Sequence, residues 1–358
     1  MRIGANVPGF WPCKTCDYNW TSDANQRWFL FAAKERGADI FEAFSNSPPY
    51  WMTNSGCSSG GQNFSDNLNS SYYDAHADYL TEVVRWYKEQ GLIFRTLDPF
   101  NEPTFRHWRD YGSQEGCSYS CYAMKEIIKK VGAYLDKKDL SENTSISIAD
   151  ESTIDEEVST ISCIGEDAKS YISQYNTHAY WGIHRTQLYN IAKQDGKRLW
   201  MSEVYVIFAA SIIFNKYYEI MLSCYLVECW NRGFISSKDM STSIQLSEEI
   251  LNDMRNLKPG AWVYWQAIED DHNDWNDGWG LIGVNYSNST TPLNKHLAFY
   301  GFAQYTKFIR PGYQIISSND SDTLAAYDAG NKTLVLVCTN KNKMLNIWDI
   351  NVSMFNIS

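Results

Sequence analysis

The chain has 358 residues, of which 44% are hydrophobic and only 20% are charged, so it is too apolar to be intrinsically disordered. Its 31 basic and 42 acidic side chains give a formal net charge of −11, which argues against nucleic acid or an anionic membrane as the main partner. The 14 Trp and 24 Tyr favour either an aromatic-rich core or faces that stack on a flat, weakly polar ligand such as a sugar.

Short apolar runs that end in polar residues predict strands, and amphipathic stretches between them predict helices. The predicted strands are residues 2–6, 39–45, 94–101, 145–150, 172–180, 198–203 and 261–266. The predicted helices are residues 24–36, 73–89, 122–137 and 247–256. Strands alternating with helices predict an α/β fold with a parallel sheet, and polar residues at strand ends are typical of a (β/α)8 TIM barrel.

A closed barrel needs eight strands, whereas seven are predicted and no apolar run precedes Arg2. We therefore expect the first strand of the barrel to be missing from this chain. Further short strands at residues 313–317, 323–327, 333–337 and 345–352 predict a small, incomplete β-sandwich. The expected domains are a catalytic barrel at residues 1–297 and a partial β-sandwich at residues 298–358.

Two glutamates end predicted strands, Glu102 in Asn-Glu-Pro and Glu203 in Trp-Met-Ser-Glu. Retaining glycoside hydrolysis needs two carboxyl groups about 5 Å apart, one protonated and one ionised, and two strand ends of one barrel can supply them. Asn101 adds an amide suited to holding a sugar 2-hydroxyl. The alternative for Glu203 is an ordinary ion-paired carboxylate near a loop.

Four sequence segments together resemble glycoside hydrolase family 30: residues 44–52 (FSNSPPYWM), 100–103 (FNEP), 200–203 (WMSE) and 263–266 (VYWQ). The first of them is most similar to the endo-β-1,6-galactanase branch. The resemblance implies a retaining mechanism on a (β/α)8 barrel with an attached β-sandwich, with Glu102 as acid/base and Glu203 as nucleophile. It implies β-1,6-linked galactan, such as arabinogalactan side chains, as the substrate. The alternatives are a β-1,6-glucanase or xylanase of the same family, or a catalytically inactive carbohydrate-binding relative.

Other side chains at or just beyond strand ends are expected to contact the sugar. They are Asn46, Trp51, Asn101, His178, Tyr180, Trp181 and Trp265. Trp265 is the expected sugar platform, or else it plugs the barrel. His178 and Tyr180 alternate along one strand and therefore share a face, although His178 is equally well explained as a core histidine. The mechanism requires no metal or organic cofactor, the expected partner is a polysaccharide or oligosaccharide, and a monomer is expected.

The cysteines and the glycosylation sequons indicate in which cellular compartment the protein folds. The nine Cys cannot all pair internally, and Cys13/Cys16 and Cys117/Cys121 are candidates for local disulfides or zinc half-sites. Ten Asn-X-Ser/Thr sequons favour a secreted glycoprotein, although no signal peptide follows Met1.

An apolar segment at residues 204–231 departs from the family pattern, which has a polar loop after the nucleophile. It accounts for a spacing of 63 residues between the ends of the last two predicted strands (266 − 203), against about 31 for one barrel unit. We interpret the segment as a translated intron, or alternatively as a genuine hydrophobic insertion. It is too interrupted to predict a transmembrane helix. A major transcript that retains these codons would exclude the intron.

Overall fold

The computed structural model describes residues 9–204, 240–270, 280–342 and 350–351. Three features noted in the sequence lie outside these ranges: the predicted strand at residues 2–6, residues 205–231 of the apolar segment, and most of the predicted strand at residues 345–352. The chain divides into two compact units. The first is Met1–Ser202 with Pro259–Ala261, and the second is Glu203–Lys258 with Trp262–Ser358.

Helices and strands alternate through the first unit, as the periodicity predicts. In chain order they are α1 (Ala24–Glu35), β1 (Glu42–Phe44), α2 (Tyr73–Glu89), β2 (Thr96–Asp98), α3 (Cys121–Lys137), β3 (Ser145–Thr153), α4 (Ile154–Lys169), β4 (Ile172–Trp181), α5 (Arg185–Gln194) and β5 (Arg198–Glu203). A last short strand, β6 (Ala261–Trp262), follows much later in the chain.

The strands form one six-stranded sheet in sequential order, from β1 to β6. Pairing is parallel from β1 through β4. The direction of β5 follows from its side chains: near its start Arg198 bonds to Ser145 and Ser173, and near its end Ser202 bonds to the carbonyl of Thr177. Because β5 begins beside the starts of β3 and β4 and its later residue Ser202 meets a later residue of β4, β5 also runs parallel, and the polar residues towards the carboxyl ends of these strands share one edge.

Side-chain caps define where the helices begin. The Ser120 hydroxyl accepts a hydrogen bond from the Ala123 N–H at the start of α3 (3.2 Å). At the start of α4, the Thr153 hydroxyl accepts from the Glu156 N–H (3.1 Å) and also bonds to the Glu156 carboxylate (3.0 Å), which forms a capping box. Neighbouring helices from α2 to α5 pack against one another, and α3 and α4 also pack on the sheet.

The second unit has its own apolar core and two small sheets. Its elements are α6 (Met240–Asn256), β7 (Ile268–Asp270), β8 (Ile282–Val284), β9 (Asn294–Lys295), α7 (Leu297–Thr306), β10 (Gln314–Ile316), β11 (Thr323–Asp328) and β12 (Thr333–Cys338). Leu246 and Ile250 of α6 pack with Tyr305 of α7 and Leu324 of β11. One sheet is β7-β8-β9, and the other is the antiparallel β10-β11-β12.

The predicted α/β class is therefore confirmed, with a small C-terminal antiparallel sheet after it. The described residues contain six of the seven predicted strands of the main sheet. One helix boundary was wrong: α6 begins at Met240 rather than at residue 247, since the more polar first turns also bury side chains, among them Thr242 and Ser243. The domain boundary at residue 298 stays a prediction. No helix among the described residues is long and apolar enough to cross a membrane.

The disulfides correct one sequence expectation. Cys13 and Cys16 are bonded, as one alternative proposed, so they do not form a zinc half-site. Cys121 is bonded to Cys163 rather than to Cys117, which is a buried thiol. The cause is tertiary: α3 and α4 pack side by side, and this brings the Cα atoms of Cys121 and Cys163 to 6.0 Å.

Candidate active site

Glu102 lies four residues beyond the end of β2, in a backbone held from both sides. The Asp98 carboxylate accepts the Phe100 N–H (3.1 Å), which turns the chain at the strand end. Glu102 itself has φ of 47°, a left-handed conformation that is uncommon for a residue with a side chain. Its carbonyl accepts hydrogen bonds from the Phe105 N–H (3.0 Å) and the Trp108 indole N–H (2.8 Å). These contacts therefore fix the backbone from which the Glu102 side chain projects.

His178 on β4 faces Glu102. Its Nδ1 lies 3.1 Å from Oε1 of Glu102, and the imidazole is buried with 1% exposure. Tyr180 packs edge-on against the imidazole at 5.7 Å, so the two rings share a face of β4 as the alternation predicted. A core histidine that is satisfied by the Glu102 carboxyl group would make the same contact, so the role of His178 in sugar binding stays a prediction.

Asp150 on β3 forms hydrogen bonds both with Glu102, which follows β2, and with Ser202 on β5. Asp150 accepts the Glu102 N–H at its carbonyl oxygen (2.8 Å), and its carboxylate accepts a hydrogen bond from the Ser202 hydroxyl. Glu203 follows Ser202 directly as the last residue of β5 and the first residue of the second unit. The structure therefore places Glu203 at the end of β5, as the sequence predicts, and Glu102 four residues beyond the end of β2.

A buried polar network lies among the strands beneath Glu102. The Glu42 carboxylate accepts hydrogen bonds from Ser147 (2.9 Å), Gln174 (3.0 Å) and Asn176 (2.8 Å), and the Asn176 amide also donates to Asp98 (3.2 Å). Burial raises the pKa of both the Glu42 and the Asp98 carboxyl groups, and the negative charges of Asp150 and Glu42 raise the pKa of Asp98 further.

Sequence reasoning missed Glu42, Asp98, Asp150 and Asn176 as site residues. The available signal was that all four lie within predicted strands, where a charged or amide side chain in an apolar run needs a partner. Which strands are neighbours, and therefore which partner each residue meets, is a tertiary property.

The remaining predicted sugar contacts lie in different surroundings. Asn46 is exposed, and Trp51 is half-buried with its indole N–H donating to the Trp11 carbonyl (2.9 Å). Asn101 is buried, and its Oδ1 has no hydrogen-bond partner among the described residues. Tyr180 and Trp181 are half-buried, with ring centroids 6.4 Å apart.

Trp265 is half-buried in the second unit, where its backbone N–H donates a hydrogen bond to the Val204 carbonyl oxygen (2.9 Å). Asp270 ends β7, and residues 271–279 lie outside the described ranges. The sugar-binding roles of all these residues stay predictions.

The fold and these side chains define the class of protein: an α/β protein whose candidate site lies at the carboxyl ends of parallel strands, where barrel enzymes carry their catalytic residues. Residues 10–180 match the model of O-glycosyl hydrolase family 30. The predicted resemblance to glycoside hydrolase family 30 is therefore confirmed over these residues.

Two curated relatives of the chain are an endo-beta-1,6-galactanase and an exo-beta-1,6-galactobiohydrolase. It is 35% identical over 349 residues to an endo-beta-1,6-galactanase of Hypocrea rufa, an alignment that covers 95% of the chain and 64% of the relative. It is 22% identical to an exo-beta-1,6-galactobiohydrolase of Bifidobacterium longum subsp. longum, covering 99% of the chain and 29% of that relative. The chain thus spans less than two thirds of the length of either protein.

Solved structures support the fold. A conserved exported protein from Bacteroides fragilis superposes with a TM-score of 0.71 at 18% identity, covering 92% of this chain and 72% of that one. The catalytic domain of GH30 xylanase C from Talaromyces cellulolyticus superposes with a TM-score of 0.64 at 19% identity, covering 92% and 71%. At this level of identity the likeness concerns the fold alone.

Proposed function

We propose that the protein is a retaining glycoside hydrolase that cleaves β-1,6-linked galactan by a double displacement. The observation that carries the proposal is the buried Glu102 carboxyl group, fixed at the end of β2 against the His178 imidazole. The 35% identity to an endo-beta-1,6-galactanase supports the choice of galactan over glucan or xylan.

In the first step Glu102 donates its proton to the glycosidic oxygen while the Glu203 carboxylate attacks the anomeric carbon. The glycosidic C–O bond breaks, the leaving sugar departs with the proton, and a covalent glycosyl-enzyme ester forms. In the second step Glu102, now ionised, takes a proton from water as that water attacks the anomeric carbon. The ester bond to Glu203 breaks and Glu102 is protonated again.

Asn101 has a defined part in this mechanism. Asn101 immediately precedes Glu102, and its buried Oδ1 has no hydrogen-bond partner among the described residues. Leaving a buried acceptor without a hydrogen bond destabilises the folded protein by about 1–3 kcal/mol. A sugar hydroxyl that donates to this oxygen removes the cost only when substrate is bound, so the unsatisfied amide favours substrate binding.

The test compares Glu102→Gln and Glu203→Gln with the surface control Glu126→Gln on β-1,6-galactan, β-1,6-glucan and glucuronoxylan. We expect the wild type and the control to release sugar from galactan, and each active-site variant to lose about 10³-fold or more in kcat. Proton NMR of the first product should show the β-anomer, as retention requires.

Three outcomes would contradict the proposal. Release of sugar from glucan or xylan alone would move the assignment to another specificity within the family. Release from none of the three, together with binding that survives both substitutions, would identify a carbohydrate-binding relative instead. An initial α-anomer would exclude the retaining mechanism.

We also propose that the protein acts outside the cell. Both disulfides support this, because such bonds persist in oxidising compartments. The sequon residues Asn19, Asn143 and Asn288 are exposed and therefore accessible to glycosylation.

A further inference from the structure

Asp150 connects Glu102, His178 and Ser202. Its carbonyl oxygen accepts the Glu102 N–H, its carboxylate accepts the Ser202 hydroxyl, and its Oδ1 lies 3.7 Å from Nε2 of His178. Since Nδ1 of the same ring lies 3.1 Å from Glu102, the imidazole stands between two carboxyl groups.

The backbone of Asp150 is strained in the same sense as that of Glu102. Its φ is 51° and that of Glu102 is 47°, a left-handed region that is uncommon for a residue with a side chain. The hydrogen bond from the Glu102 N–H to the Asp150 carbonyl oxygen links the two left-handed residues directly. Both positions are buried, with exposures of 4% and 8%, so the geometry around the imidazole is fixed by the protein and not by solvent.

We propose that Asp150 is a positioning residue for the general acid: its carboxylate keeps the His178 proton on Nε2, so that Nδ1 carries no proton and, facing Oε1 of Glu102, favours the protonated form of that carboxyl group. This inference rests on the proposed function, because it assigns Glu102 the role of acid. A carboxylate facing one nitrogen of a neutral imidazole favours the tautomer protonated on that nitrogen, which leaves the other nitrogen as an acceptor.

Asp150 lies close to a second buried carboxyl group. Burial and the negative charge of Asp150 raise the pKa of the neighbouring Asp98 well above its usual value. The hydrogen bond from the Ser202 hydroxyl stabilises the Asp150 carboxylate.

The inference has a kinetic consequence that separates it from a structural role. A poor leaving group needs protonation by Glu102, whereas a good leaving group departs without it. Replacing Asp150 by Asn keeps the side-chain shape but removes the charge that holds the proton on Nε2. The loss should therefore depend on the leaving group, because only proton donation is weakened and not the attack by Glu203.

The experiment measures kcat/KM, which reports the first displacement, on the phenyl and 2,4-dinitrophenyl glycosides of the sugar that the wild type releases. We expect Asp150→Asn to lose about tenfold or more on the phenyl glycoside and less than about threefold on the dinitrophenyl glycoside. In a His178→Gln background, the same substitution should add no leaving-group-dependent loss, since Asp150 acts through the ring.

Glu151→Gln is the matched control. Glu151 is the next residue on β3 and equally buried, but its carboxylate bonds to Thr104 and Thr160 and not to His178. We expect Glu151→Gln to change both rates by the same factor. If Asp150→Asn does so too, or changes neither rate, the inference is overturned while the proposed function stands. A wild type that hydrolyses no substrate instead overturns the proposed function.

Ser202→Ala covers the case in which Asp150→Asn does not fold. It removes only the hydroxyl that stabilises the Asp150 carboxylate, so we expect the same leaving-group dependence in a milder form. A uniform loss, or none, on the two glycosides would overturn the inference.

Discussion

Single carboxyl groups are buried on and around β3 among neutral hydrogen-bond donors. Glu151 accepts hydrogen bonds from Thr160 (2.6 Å) and Thr104 (2.8 Å), and Glu157 accepts the Ala149 N–H (3.3 Å). Hydroxyl and amide donors satisfy a carboxyl group without supplying the positive charge that would favour its ionised form. Burial accordingly raises the pKa of Glu151 to about 7 and raises that of Glu157 well above its usual value.

This burial predicts a pH dependence of stability. A carboxyl group whose pKa rises on folding binds its proton more tightly in the native state, so stability falls as pH rises. For Glu151 the loss runs from about pH 4.5 to about pH 7 and amounts to about 3 kcal/mol. We expect Glu151→Gln to flatten the fall in unfolding free energy between pH 5 and pH 8, as measured by urea denaturation. The control Glu126→Gln, at a half-buried surface position, should keep the wild-type slope, and an unchanged slope in Glu151→Gln would contradict the prediction.

At the scale of elements, α3 and α4 are joined by more than packing. The Cys121–Cys163 disulfide connects the first residue of α3 to the interior of α4, across a sequence separation of 42 residues. Cys13–Cys16 closes a separation of only three residues in the loop before α1. The longer loop restricts the unfolded chain more, so this disulfide should stabilise the fold more.

The two disulfides predict different losses of stability. Chain-entropy estimates give about 4 kcal/mol for Cys121–Cys163 and less than about 2 kcal/mol for Cys13–Cys16. We expect the double variant Cys121→Ser/Cys163→Ser to lose correspondingly more unfolding free energy in urea than Cys13→Ser/Cys16→Ser, which serves as the matched control. Equal losses would show that the link between α3 and α4 is not the stronger constraint.

For the molecule as a whole, the acidic charge and the exposed sequons bear on the proposal that it acts outside the cell on a polysaccharide. A net charge of −11 disfavours non-specific binding to nucleic acids and anionic membranes. The alignment covers 64% of the endo-beta-1,6-galactanase of Hypocrea rufa, so the activity of this chain has to be measured directly.

Passage through a eukaryotic secretory pathway should therefore add N-glycans. We expect the secreted protein to lose mass on enzymatic removal of N-glycans, with occupied sites among Asn19, Asn143 and Asn288 identified by peptide mass spectrometry. The variant Asn19→Gln/Asn143→Gln/Asn288→Gln should show a smaller loss. An unchanged wild-type mass would contradict the prediction of a glycoprotein.

Much of the fold was predictable because the signals are local. Strand β5 has the bounds that its apolar run predicts, and α2 matches its amphipathic period from Tyr73 to Glu89. The positions of Glu102 and Glu203 at strand ends followed from the same reading, and the Ser-Pro-Pro and Asn-Glu-Pro motifs indicated the family.

The sequence by itself thus determined the alternation of strands and helices, the family and the two candidate catalytic carboxyl groups, since periodicity and short motifs are written in consecutive residues. Only the tertiary structure decided that Cys121 pairs with Cys163, that His178 faces Glu102, and that Asp150 lies beside both. These pairings join residues from 28 to 76 positions apart. They depend on which helices and strands become neighbours, and that is settled by packing of the sheet and its helices rather than by any local pattern.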